Sequence, residues 1–111
     1  MRKRIAIAIA IFANTIASDS AMAATEGDIN KLTTYAVILG RAFGCGMDAT
    51  QEMQSVGAWM DAIFPPGSRD QKIYLPIFMA GVQENAEKQA NGDSPDNCGA
   101  VRRTYSKMPW P

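Results

Sequence analysis

Apolar residues in this chain recur at steps of three and four and hardly anywhere at steps of two, which commits most of it to α-helix. Between Asp28 and Phe43 the residues Ile29, Leu32, Ala36, Leu39 and Phe43 make one stripe, widened by Tyr35, Ile38 and Ala42, with Asp28 placed to cap the first turn. Gly44-Cys45-Gly46 should end that helix, because glycine takes the left-handed conformation that closes helix ends. A second helix is expected from Asp48, with Gln51 completing a reciprocal cap. It would bury Met53, Val56, Met60 and Ile63 beside Trp59 and Phe64, admit a neighbouring helix at Gly57, and stop at Pro65-Pro66-Gly67.

Ser68 and Gln71 repeat the cap for a third helix reaching about Ala90. Its apolar positions are Ile73, Ile77 and Ala80, with Tyr74, Phe78 and Val82 on an adjoining row, and Pro76 predicts a kink or break at Leu75 because it lacks a backbone donor. Ser94-Pro95 offers an N-cap and a first-turn proline to a fourth helix carrying Cys98, Val101 and Tyr105 on one face. Met108-Pro109-Trp110-Pro111 cannot be helical, and this tail is loose unless Trp110 folds back onto the core. The expected fold is all-α, a small bundle of about four helices.

Ahead of this pattern stands a different one. Met1, Arg2, Lys3 and Arg4 make a basic start, residues 5–13 are apolar, and Ala21-Met22-Ala23 is a small-residue triplet. This is the pattern of a secretory signal peptide cleaved after Ala23. The apolar run falls well short of the roughly 20 residues that a membrane-spanning helix needs. Residues 1–23 are therefore read as the leader and 24–111 as a single exported helical domain, periplasmic or secreted by bacterial export. No cysteine lies beside the cleavage site to carry a lipid.

An exported chain with two cysteines and no others points to a disulfide between Cys45 and Cys98. Joining positions so far apart should destabilise the unfolded chain by about 4 kcal/mol on the loop-entropy model. That is a large share of what so small a domain can have. Metal binding and redox catalysis fit less well: the chain has no histidine, and no Cys-x-x-Cys pair.

Charge narrows the partners. Lys/Arg and Asp/Glu number eleven each, but the leader holds three of the basic residues and only Asp19 of the acids, so the domain is mildly acidic. Within residues 24–111 Arg102-Arg103 is the only adjacent basic pair, which argues against nucleic acid. The lack of histidine also removes the commonest general base and the Ser-His and Cys-His nucleophile pairs. Carboxylate pairs remain, Asp48 with Glu52 and Glu84 with Glu87, and these read as solvated helix charges, Lys88 standing four beyond Glu84. No catalytic residue, cofactor or metal is assigned. Met53, Trp59 and Met60 are candidates for an adaptable apolar partner-binding surface, since methionine re-packs around different partners, and Arg102 and Arg103 are candidates for docking.

The order Ile38-Leu39-Gly40, Cys45-Gly46, Trp59-Met60, Pro66, Phe78-Met79-Ala80-Gly81 and Cys98 resembles that of small exported two-cysteine helical proteins of unknown function. Size, export and a single long-loop disulfide are also similar to the HdeA family of periplasmic acid-stress chaperones. The expected role is an accessory or interaction domain of the cell envelope that acts by binding another protein and fits a secretion or conjugation system; the first resemblance adds no function to this. The second implies a holdase chaperone, in which protonation of the carboxylates loosens the bundle and exposes its methionine and aromatic face.

Overall fold

The computed structural model describes residues 24–111, and the leader assigned to residues 1–23 lies outside them. Among the described residues there are four helices and no strand: α1 (Glu26–Gly44), α2 (Thr50–Ile63), α3 (Arg69–Ala90) and α4 (Cys98–Lys107). The all-α bundle expected from the spacing is the fold observed.

Most helix starts differ from the expected ones by a few residues, for local reasons. Thr25, not Asp28, caps α1: the Thr25 hydroxyl accepts from the Asp28 N–H and the Asp28 carboxylate accepts back from the Thr25 N–H. Asp28 is thus the far half of a capping box. α2 starts at Thr50 with no side-chain cap, because the Asp48 carboxylate accepts from the Thr50 N–H across a tight turn instead of pairing with Gln51. Ser68 does cap α3, through the Gln71 N–H. α4 is capped by Asn97 rather than Ser94, its side chain accepting from the Ala100 N–H.

α1 is the central helix. It runs parallel to α3, Ala36 meeting Gly81, Gly40 meeting Val82 and Asn85, and Gly44 meeting Ala86 and Gln89. A Cβ on Gly40 would stand 2.5 Å from the Val82 carbonyl oxygen, and one on Gly44 the same distance from that of Ala86. These two glycines, one helical turn apart, let the backbones of α1 and α3 touch. Gly57, expected to serve a close approach, has open space around it. The left-handed turn after α1 falls to Gly46, with φ +77°, while Gly44 is still helical and Cys45 is the C-cap.

α2 and α4 run back along α1. The core joins Leu32, Tyr35, Ala36, Leu39 and Ala42 of α1 to Val56, Met60 and Phe64 from α2 and its end, and to Phe78 and Val82 of α3. Val101 of α4 is buried as well. α3 continues through Pro76 as one helix, so of the kink or break expected at Leu75 the break does not occur. Pro76 is exposed, so water can reach the carbonyl its missing N–H leaves free.

Cys45 and Cys98 form the disulfide, Cα to Cα 5.7 Å, tying the end of α1 to the first residue of α4. Arg41 pairs with Asp96 at 3.1 Å beside it, and buried Gln89 donates to the Asp96 carbonyl at 3.0 Å. At the other end of α4 the tail does fold back. The Trp110 indole donates to the Tyr105 carbonyl at 3.2 Å and stacks on Tyr35 with centroids 5.7 Å apart. Tyr105, Trp110, Tyr35, Trp59, Phe64 and Tyr74 thereby form a continuous chain of aromatic contacts through all four helices.

Candidate interaction surface

The residues named from sequence as partner contacts fall in three settings. Met60 is 2% exposed and packs inside the core, so a folded domain offers none of it to a partner. Met53 and Trp59 are half-buried against that core, with Trp59 held edge-on to Tyr35 at 5.3 Å. Arg102 and Arg103 lie exposed on α4. The structure does not bring these five together into one patch.

The carboxylate pairs have structural partners. Glu52 accepts from the Tyr105 hydroxyl across the α2–α4 contact. Burial, and then the Glu52 carboxylate, hold the Tyr105 phenol well above its usual range. Asp48 is held below the ordinary carboxylate value by its bonds to Thr50. Glu84 pairs with Lys88 at 3.0 Å, and Glu87 accepts from Gln83 at 3.3 Å. Among the described residues no group of three or more His, Cys, Asp or Glu is placed to hold a metal, and no helix is long and apolar enough to cross a membrane.

The largest unpartnered apolar surface lies where the sequence placed core. Positions 73–82 of α3 carry no charged side chain, yet only Phe78 and Val82 are buried among them. Ile73 is 42% exposed, Leu75 41%, Ile77 57% and Met79 49%. The row Tyr74, Phe78, Val82 is the one that faces the bundle; the row Ile73, Ile77, Ala80, expected beside it in the core, faces out. Helical geometry gives the reason: α3 packs mainly on a single helix, α1, through the side that carries Gly81 and Asn85, and one neighbour covers only one side of a cylinder. A helix apolar all round is otherwise found buried.

The described residues also line two concave features, of which one borders α3. A groove of about 110 Å³ runs between α1 and α3, lined by Thr33, Ala36, Val37, Ile77, Gly81 and Asn85 among others. An open cleft of about 370 Å³ lies beside the folded tail, between Asn30, Lys31, Thr34 and Tyr35 of α1 and Met108 and Pro109. Neither gathers a set of convergent titratable groups. What this surface offers chemically is desolvation of an apolar counterpart, with Ile77 as the rim shared by the groove and the exposed face.

Compared with protein-family models, with curated proteins and with solved structures, the chain matches none of them. The class defined by fold and surface is an all-α domain closed by one disulfide, with an unpartnered apolar helix face.

Proposed function

We propose that this chain is a protein-interaction domain of the bacterial cell envelope, exported and working by binding rather than catalysis, with the outward side of α3 as its contact surface. The observation that carries this reading is the half-exposure of four large apolar side chains on one helix, Ile73, Leu75, Ile77 and Met79. They border the outward strip of α3 from both flanks, Ile73 and Ile77 on one and Leu75 and Met79 on the other, and apolar surface left uncovered in this way marks a site of association. A disulfide that closes the bundle suits an oxidising compartment, which supports export. Attachment to a secretion or conjugation system is one setting that such a domain fits.

The test is mild cross-linking in intact cells followed by purification of the tagged chain from the envelope fraction. A discrete cross-linked protein recovered with the wild type and lost with Ile77→Glu is the expected result. Recovery of the uncross-linked chain alone, in both, contradicts it.

A second reading, the acid-activated holdase, draws on the structural work given to carboxylates. Asp28 closes the α1 cap, Asp70 accepts from the Ala24 N–H, Asp96 holds Arg41 and Glu52 holds Tyr105. Four separate contacts of the fold thus rest on carboxylate side chains. Circular dichroism with a client-aggregation assay from pH 7 to pH 2 decides it: loss of near-ultraviolet signal with onset of aggregation suppression supports the holdase, and a domain that stays packed, or suppresses nothing once loosened, removes it.

A further inference from the structure

We infer that the outward side of α3 is covered by a second copy of this chain, packed antiparallel about a two-fold axis at Phe78. This rests on the reading of α3 as a binding face, and it names the occupant.

The inference comes from how α3 sorts its charges. On the side turned away from α1, exposed Arg69 and Lys72 stand at the start of the helix and exposed Glu84 and Glu87 in its last third, with the uncharged stretch 73–82 between them. Asp70 and Lys88, of the opposite sign at the two ends, lie about 100° round on one flank, where Asp70 accepts from the Ala24 N–H and Lys88 pairs with Glu84. Arg69 and Glu87 stand nine positions either side of Phe78, and Pro76 and Ala80 two positions either side. At 3.6 residues per turn these four fall within about 40° of one another along the helix, on the side opposite buried Phe78. The strip therefore reads basic, small and apolar, acidic, and it is complementary to itself when turned end for end. A two-fold interface requires that property. A parallel arrangement would set like charges against each other, which is destabilising.

In this register Arg69 of each chain faces Glu87 of the partner subunit, and Pro76 lies over Ala80 of the partner subunit, where small side chains allow the helices to approach. Ile77 then meets its own copy on one flank of the axis and Met79 its own copy on the other. Both are about half exposed in the single chain. Arg69 has no ion-pair partner among the described residues, so its guanidinium is free to take one. The groove beside Ile77 gives an aliphatic side chain from the partner subunit a place to enter.

Sedimentation equilibrium on the protein recovered after expression of the full chain tests this, at loading concentrations from about 1 to 100 μM, the range in which a small interface of this kind dissociates. Wild type is expected to reach twice the monomer mass at the upper end. Ile77→Glu should remain monomeric with unchanged far-ultraviolet circular dichroism. Arg69→Glu should raise the monomer–dimer midpoint roughly tenfold, and Arg69→Glu with Glu87→Arg should bring it back towards wild type, because the pair is reversed rather than removed. Both positions of the swap are exposed, so that series stands even if Ile77→Glu fails to fold. A monomer at every concentration overturns the inference, and so does a dimer indifferent to Ile77→Glu or a double swap that rescues nothing. A monomer in isolation that still cross-links to a different envelope protein through α3 would sink the two-fold pairing while leaving the interaction reading in place; a monomer with no cross-linked partner would remove both.

Discussion

The backbone nitrogen of Ala24 donates to the Asp70 carboxylate at 2.8 Å, pinning the first described residue to the opening turn of α3. Cleavage after Ala23 would turn that N–H into an α-ammonium at the same place, and a neutral hydrogen bond into a charge-assisted one. The chain end produced by export would then be a structural element, holding the start of α1 against α3.

Asp70→Asn keeps an acceptor oxygen and removes the charge. In protein purified after export we expect it to cost about 0.5–1.5 kcal/mol, measured by urea denaturation, because the contact is only partly buried. The same substitution in a variant whose leader is not removed should have less effect. Equal effects in both forms would mean that the new terminus is not the partner of Asp70.

The α1–α3 contact makes a sharper expectation. Alanine at Gly40 or Gly44 places a methyl 2.5 Å from a carbonyl oxygen of α3, so the helices must separate. Each substitution should cost about 1–3 kcal/mol. Gly57→Ala, in open space inside α2, should be neutral or stabilising by about 0.5–1 kcal/mol. Chemical denaturation of the three variants checks this; equal behaviour would refute the close crossing.

Removing the disulfide by Cys45→Ala with Cys98→Ala should lower stability by about 2–5 kcal/mol, enough to leave much of the domain unfolded at 37 °C. Intact mass of the exported protein under non-reducing conditions should be two hydrogens below the reduced form, and free thiols on either cysteine would contradict the bond.

The Tyr105 phenol sets a pH limit. Its pKa is raised in the folded domain above the ordinary tyrosine value of about 10, by burial first and the neighbouring Glu52 second. A raised folded pKa means that the contribution is fully present below about pH 10 and is lost as pH rises through the folded value. Wild type should therefore lose stability above about pH 10 more steeply than Tyr105→Phe. Parallel curves for the two proteins would show that Tyr105 does not carry the effect.

Much of the fold was legible because it depends on periodicity and punctuation. The α1 stripe, the Pro65-Pro66-Gly67 stop and the Ser68 cap are all local, and each is found where the spacing put it. What could not be read depends on which neighbour a helix has. The sequence presents Ile73-Ile77-Ala80 and Tyr74-Phe78-Val82 as equally apolar rows, and only the position of α1 decides that the second is core and the first is surface. Gly40 and Gly44 carry the close approach rather than Gly57 for the same reason. One sign of the surface was present: a ten-residue uncharged stretch on a helix of a domain this small exceeds what a single neighbour can bury.

The most direct measurement places a photo-reactive amino acid at Met79 of α3 in one strain and at Arg102 of α4 in another, and illuminates intact cells. Met79 should give a discrete protein adduct and Arg102 none. Adducts confined to Arg102, or absent from both, would contradict binding through the outward side of α3.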